Sequence, residues 1–375
     1  MVRSKEGGLA TSPQKVGAIL TDHFKSVLAG DDAPAEKGKG QDQPPPPNQQ
    51  EQEVAERGGR EGVQADTREA EAPTLGEVRA ALNRLKAFKA PGGDGIATAL
   101  LQHGGSEFEN MLWQLLVQVW EREDIPTDWE EAIIAVLYKG KGDVHDPNNT
   151  RGLSLLNTGL KVLSNLVLNR LQPHAEEVIG EYQAGFRRGR SCTDHIHTLR
   201  AYLAARREHQ QDTHLIFVDF QKAYDTVIRE VLWERMREMG IPHKLIRMAQ
   251  VMSRCTRNRV RTLGRLFHDF ITRSGVRQGD ALSPLLFNLA LESAIRRVLA
   301  ALSNKVLILA YADDIVILGD CEEAVKEAMQ MLILECCSIG LQVNQGKTKY
   351  MLSTDAQGPP ATGPGGRRSA IRGGN

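Results

Sequence analysis

Two apolar runs that stop at aspartate constrain this chain more than any other feature. Leu215 to Val218 reads as a β-strand ending abruptly at Asp219, and Val306 to Leu318 as two apolar halves flanking Ala312-Asp313-Asp314, the pattern of a hairpin with acids at its tip. Strands of this kind can lie side by side and bring the three acids together despite their distance in sequence. Clustered carboxylates repel one another unless cations sit between them. Hard oxygen ligands suit Mg²⁺, and two such ions can activate an attacking hydroxyl while stabilising a phosphate leaving group, which is nucleotidyl-transfer chemistry. The plain alternative is that an Asp-Asp pair on a turn is solvated turn chemistry.

At 375 residues the chain can form two ordinary domains, or one larger body with an extension. Lys+Arg and Asp+Glu both number 47, so any nucleic-acid signal has to come from local basic tracks. Two are present: Arg187, Arg188 and Arg190 beside Phe186, and Arg254, Arg257, Arg259, Arg261 and Arg265. Such tracks neutralise phosphates without reading sequence, although a solvated face gives the same pattern. Cys192, Cys255, Cys321, Cys336 and Cys337 form no CxxC pair, so free, mostly buried thiols in a reducing compartment are expected. His195 and His197 have no matching Cys/His partners for zinc. There is no apolar signal core and no uninterrupted membrane-length run, so an intracellular chain without a membrane partner is expected.

Gln14 to Leu28 has the spacing of a short amphipathic helix, placing a helical remnant within residues 1–29. Residues 30–73, with the run Pro44 to Pro47, have the composition of a disordered linker. Thr74 to Glu77 and Ser106 to Glu109 read as capping boxes, Ile133 to Tyr138 as a strand, and Gly159 to Ile179 and Asp194 to Glu208 as helices. Ser283-Pro284 starts a helix and Asp320 to Glu323 caps another that Gly340 ends. Residues 352–375 are expected to be a disordered tail of Gly, Pro and Ser.

The ordered motifs carry a dense resemblance. Lys89-Ala90-Pro91-Gly92-Gly93-Asp94-Gly95-Ile96 leads, followed by Tyr138 to Asp143, Asn149 to Leu155, Gln183-Ala184-Gly185-Phe186-Arg187-Arg188-Gly189-Arg190-Ser191, and Phe217-Val218-Asp219-Phe220-Gln221-Lys222-Ala223-Tyr224-Asp225. Gly275 to Pro284, Tyr311-Ala312-Asp313-Asp314 and Gly340 to Thr348 complete the series. From Thr74 to Met351 the chain resembles the reverse transcriptase domain of LINE-like non-LTR retrotransposons, with the RTE type as the specific candidate. Thr150 departs from the aromatic residue usual at its position.

The resemblance implies an α+β right-hand polymerase: fingers over 74–214, a palm over 215–351 built on a small antiparallel sheet, and a thumb that is apparently missing. It implies RNA-directed DNA polymerisation with dNTPs, an RNA template and a DNA primer, and two Mg²⁺ ions, with Mn²⁺ as a substitute. Asp219, Asp313 and Asp314 would be the catalytic acids and, with the Phe220 carbonyl, the metal ligands. Lys139, Lys141 and Arg151 would hold the triphosphate, Tyr224 would exclude a ribose 2′-hydroxyl, and Gln278 and Gly279 would line the nascent base pair. Lys347 would protonate or neutralise the departing pyrophosphate. Gln183, Gly185, Phe186, Arg187 and Arg190 would contact nucleic acid. Thumb and endonuclease would have to come from elsewhere, and nuclear action is expected. The rival readings are a weak, truncated retroelement remnant that only binds nucleic acid, and an RNA-templated RNA polymerase, against which the bulky Tyr224 argues.

Overall fold

The computed structural model describes residues 1–4, 6–28, 69–254, 256–302 and 305–354. A hairpin of Val2–Arg3 (β1) and Leu9–Ala10 (β2) leads into Pro13–Leu28 (α1). Helices Leu75–Asn83 (α2), Thr98–His103 (α3) and Gly105–Arg122 (α4) precede strands Glu131–Tyr138 (β3) and Thr150–Leu155 (β4). Helices Thr158–Val178 (α5) and Cys192–Glu208 (α6) come next. Then follow Thr213–Val218 (β5), Phe220–Gln221 (β6), Ala223–Thr226 (α7), Arg229–Glu238 (α8), His243–Ser253 (α9), Thr256–Thr262 (β7) and Arg265–Thr272 (β8). Ser283–Leu302 (α10), Val306–Tyr311 (β9), Asp314–Gly319 (β10), Glu322–Ser338 (α11), Gln342–Val343 (β11) and Lys349–Ser353 (β12) complete the order.

Two four-stranded sheets organise this mixture of helix and strand. One runs β12-β5-β10-β9 and is antiparallel throughout; the other runs β4-β3-β7-β8, with β3 and β7 parallel. The first buries one face against the main core, where Ile216, Ile308 and Ile317 meet α11. Its other face carries Leu215, Leu309 and Leu318, covered by Leu199, Tyr202 and Leu203 of α6. Both faces are therefore apolar, which is why these strands read as nearly continuous apolar runs rather than alternating ones.

Local chemistry explains where several elements begin. The Thr74 hydroxyl accepts from the Glu77 amide at 3.2 Å while Glu77 accepts from the Thr74 amide at 2.8 Å, so the first capping box forms as expected. The second does not. Gly104 is the cap residue of α4 without a side-chain bond, Ser106 already lies inside the helix, and Glu109 instead accepts from Arg79 at 2.7 Å.

Of the expected linker, residues 30–68 and the Pro44 to Pro47 run lie outside the described residues, as do Cys255 and residues 355–375 of the expected tail. Of the described cysteines, Cys336 is buried while Cys192, Cys321 and Cys337 are exposed, which corrects the expectation of mostly buried thiols. Residues 69–73 correct that expectation, because they are held by buried donors. The Trp113 indole donates to the Pro73 carbonyl at 2.8 Å, the Trp120 indole to Ala70 at 3.2 Å, and Arg170 to Glu71 at 2.8 Å. An indole N–H removed from water requires an acceptor, and the backbone just before α2 supplies it. At the other end, β12 extends ordered structure to Ser353, past the expected limit at Met351. Among the described residues, no helix is long and apolar enough to cross a membrane.

Helix α1 forms where its spacing placed it, but it is not a free-standing remnant. Val16, Leu20 and Phe24 pack on Ile134, Val260 and Phe270 of the second sheet. Contact is tight at two glycines: an added Cβ would lie 2.1 Å from the Phe267 ring at Gly17, and at Gly152 it would lie 2.8 Å from the Phe24 ring and 2.9 Å from Ile134. Gly152→Ala should therefore lower stability by about 1–3 kcal/mol, as overpacking of a filled interface does. Chemical denaturation checks this, and an unchanged midpoint would mean that α1 does not press on the sheet in solution.

Candidate active site

The antiparallel register sets the acids. Ile315 of β10 pairs with Val218 of β5, so Asp314 and Asp219 leave that ladder at the same end. Tyr311 pairs with Asp314 across the hairpin, leaving Ala312 and Asp313 as its two-residue tip. Asp219 is fixed through its backbone: its amide donates to the Thr348 hydroxyl at 3.3 Å and its carbonyl accepts from the Asn344 amide at 2.7 Å. The β6–β11 pairing, Phe220 against Val343, holds the two segments together. Lys347, on that same turn, brings its ammonium to 3.4 Å from Asp219 Oδ2. This is an ion contact only, since Oδ2 is buried and has no hydrogen-bond partner. Burial pushes the Asp314 carboxyl up, and the negative charges of Asp313 and Asp219 push it further. Among the described residues no group of three or more His, Cys, Asp or Glu side chains is placed to hold a metal ion. A buried carboxylate oxygen with no hydrogen-bond donor, beside mutually repelling acids, is nonetheless what a cation would satisfy.

The hairpin tip depends on Gln183, one of the residues expected at nucleic acid. Ala312 has φ +54°, a left-handed conformation that alanine rarely adopts. Its amide donates to Gln183 Oε1 at 2.8 Å, and its carbonyl accepts from Gln183 Nε2 at 3.3 Å. The Gly185 amide donates to the same Oε1 at 2.8 Å. Gly185 lies so close that an added Cβ would fall 2.2 Å from the Ala312 nitrogen. Gln183 is 2% exposed, so burial corrects the expectation of a nucleic-acid contact at Gln183 and Gly185 and makes both supports of the Asp313 turn. Asn288 of α10 donates to the Gly185 carbonyl at 2.8 Å, and Glu292 accepts from the Tyr182 hydroxyl at 2.7 Å. Sequence reading passed over these two; two polar residues four apart on the buried face of an apolar helix were the available signal.

Arg187 requires the same correction. It is 7% exposed and donates to Glu176 at 2.7 Å and to the Gly180 carbonyl at 2.7 Å, so it closes its own loop. Arg190 pairs with Glu181. Phe186, Arg188, Gly189 and Arg190 are the members of that motif that face solvent. In the second basic track, Arg254, Arg257 and Arg259 pair with Asp124, Asp269 and Glu131, which leaves it a weaker phosphate track than its charge count implies.

Tyr224 follows the short β6 strand on α7. Its ring stacks on Phe287 of α10 at a centroid distance of 4.6 Å, and its buried hydroxyl has no hydrogen-bond partner. Burial and the nearby Asp313 charge both raise its phenol. Next to it, Asp225 accepts from Gln278 Nε2 at 3.0 and 3.1 Å, so the Gln278 side chain is already engaged. The Gln278 carbonyl accepts from the Ser154 amide at 2.9 Å, and Gly279, at φ +109°, lies against Ser154 and Leu153. These contacts dock the second sheet on the Tyr224 turn.

Arg151 on β4, with Lys139 and Lys141 at the β3–β4 turn, presents exposed cations on that side. Burial lowers the Lys139 ammonium, and the positive charges of Arg151, Lys347 and Lys141 lower it further. The four cations thus sense one another, with Lys347 bridging towards Asp219.

Burial pushes the Asp225 carboxyl from 3.8 up to about 6, opposed by Gln278 and by the charges of Lys222, Lys139 and Arg151. A carboxyl raised on folding contributes stability that is complete below the unfolded value and lost as pH rises through the folded one. The wild type should lose about 3 kcal/mol of stability relative to Asp225→Asn as pH rises from about 4 through about 6. Thermal melts across that range check it; parallel curves for the two proteins would refute the raised carboxyl.

The family model described as reverse transcriptase (RNA-dependent DNA polymerase) matches residues 139–365. A probable RNA-directed DNA polymerase from transposon BS of Drosophila melanogaster is 27% identical over 77% of this chain and 33% of its own length. A retrovirus-related Pol polyprotein from the type-1 retrotransposable element R2 of Popillia japonica is 26% identical over 65% of this chain and 34% of its own. The RNA-directed DNA polymerase from mobile element jockey of Drosophila funebris is 25% identical over 76% and 32%. The chain thus spans about a third of the length of these relatives. Among solved structures, apo telomerase from Candida tropicalis truncated from its C-terminal domain aligns at a TM-score of 0.48, with 16% identity over 62% of this chain and 52% of that one, a likeness too partial to carry an argument. With its matched segment covering more than half of its length and containing Asp219, Tyr224, Asp313, Asp314 and Lys347, the chain belongs to the reverse transcriptase family.

Proposed function

We propose that this chain is the polymerase core of a non-LTR retrotransposon, extending a DNA primer on an RNA template with dNTPs. In this reading residues 74–214 act as fingers and 215–351 as palm. The observation that carries it is the convergence of Asp219, Asp313 and Asp314 with Lys347 at 3.4 Å and with the Lys139, Lys141 and Arg151 cations nearby. Acids on one side and cations on the other suit a substrate that is a metal-bound triphosphate.

Asp219 and Asp313, with Asp314 and the Phe220 carbonyl, would hold two Mg²⁺ ions or, in substitution, Mn²⁺. Bound there, the metals would supply Lewis-acid activation of the primer hydroxyl and charge neutralisation at the leaving group. The chain's own side chains divide the remaining work. Arg151 forks on triphosphate oxygens while Lys139 and Lys141 add point charge. Lys347, free to rotate away from Asp219, donates a proton or charge to departing pyrophosphate. The Tyr224 ring, backed by Phe287, occupies the space that a ribose 2′-hydroxyl would need. Gln278 and Gly279 contribute backbone rather than side chain beside the nascent pair, because the Gln278 amide holds Asp225. Phe186, 59% exposed at φ +57°, offers a stacking surface to the template, with Arg188 beside it for phosphate. The site of action is assigned to the nucleus.

Primer extension on an RNA template with dNTPs and Mg²⁺ tests this. The wild type should extend, and Asp313→Asn should fall by about a thousandfold or more while still binding primer-template. Binding without extension by the wild type would sink the polymerase reading and leave a nucleic-acid-binding remnant. Tyr224→Ala should retain extension while discrimination against ribonucleotides drops by about tenfold or more, since removing a clash mainly affects the competitor. Unchanged discrimination would remove Tyr224 from the sugar pocket.

A further inference from the structure

The segment 1–28 reaches the site at three points. The Arg3 amide donates to the His145 carbonyl at 2.8 Å, and the Arg3 guanidinium pairs with Asp143 at 2.9 Å. The Met1 carbonyl lies 3.0 Å from His145 Nδ1. All of these land on the loop between β3 and β4 that carries Lys139 and Lys141. Farther along, Phe24 presses on Gly152, next to Arg151. At its end α1 abuts α7, and Leu28 lines the same cavity as Asp225 and Gln278.

The loop needs an external hold. Gly140 and Gly142 have φ of +76° and +80°, and an eleven-residue span turning on two glycines has little stiffness of its own. Internal bonds give it shape: Lys139 Nζ donates to the Asn148 carbonyl at 2.8 Å, Tyr138 to Gly142 at 2.6 Å, and Asn149 to Asp143 at 3.0 Å. All three lie within residues 138–149. Lys139 sits among the like charges of Arg151, Lys347 and Lys141, with Asp146 opposing them. Asp143 is where the two systems join, one oxygen accepting from the His145 amide at 2.9 Å and the other from Arg3.

We infer that residues 1–28 are a positioning element of the nucleotide site, with Arg3 acting through Asp143 to hold the Lys139 and Lys141 loop in place beside Arg151. The inference rests on the reading of those lysines as triphosphate contacts.

The test uses the full chain carrying Arg3→Asp, Asp143→Arg and the two together. Arg3 and Asp143 are both substantially exposed, so the fold should survive each change. Arg3→Asp is expected to speed amide hydrogen exchange across residues 139–149. It should also raise KM for dNTPs about threefold or more, with kcat within about twofold and the melting temperature unchanged. The double variant should restore both towards wild type, beyond what Asp143→Arg does alone. Unchanged exchange in Arg3→Asp overturns the hold, and faster exchange with unchanged KM overturns its role in nucleotide binding. If the wild type extends no primer, the polymerase reading fails, while the exchange result still decides whether Arg3 fixes the loop.

Discussion

The site depends on one buried amide. Gln183 bonds both sides of the Ala312 peptide and the Gly185 amide, which holds a non-glycine residue at φ +54° and so fixes the tip carrying Asp313. A left-handed alanine costs about 1–2 kcal/mol and persists only where its surroundings over-determine it. The surroundings here are extensive: Gln183 forms a parallel bridge with Ala310, the Ala184 amide donates to the Ala310 carbonyl at 2.9 Å, and Ala310 donates to Tyr182 at 2.7 Å. The segment behaves as a partial fifth strand beside β9. Asn288 and Glu292 anchor it in turn to α10, the helix whose Phe287 also backs Tyr224. One helix thereby sets an acid and the proposed sugar gate together.

Much of this was legible in the sequence, for reasons that differ by element. The acidic hairpin and the strand ending at Asp219 read directly, since apolar runs bounded by turn residues admit few structures. Thr74 read correctly as a cap because its partner Glu77 is local. Ser106 failed for a tertiary reason: Arg79 of α2 claims Glu109, so the local box had a stronger competitor. The anchoring of residues 69–73 was illegible because their composition is polar and their partners, Trp113, Trp120 and Arg170, lie far along the chain.

The basic motif shows a different limit. Charge counted along a sequence gives no information on which guanidiniums are neutralised, and Arg187 is held by Glu176 and two carbonyls that spacing alone would not connect. Exposure reverses the expected ranking within Gln183 to Arg190. The buried members build the turn under Asp313, and the exposed Phe186, Arg188 and Arg190 are left to meet a ligand.

The same trade between support and contact explains why Asp225 and Gln278 sit beside the site without being free to serve it. Bringing β4 against the α7 turn places Ser154 and Gly279 in contact, and that junction buries a carboxylate. A buried carboxylate without a donor is costly, and Gln278 is the donor within reach. Its amide is therefore fixed by the packing of the two sheets, and only its backbone remains to face a base pair. Gly279 follows from the same contact: at φ +109° with the Ser154 carbonyl 2.8 Å from where a Cβ would stand, a residue without a side chain is required for the sheets to meet at all. A family motif thus combines residues that would touch substrate with residues that bring the two sheets together, and their burial and hydrogen-bond partners separate the two groups.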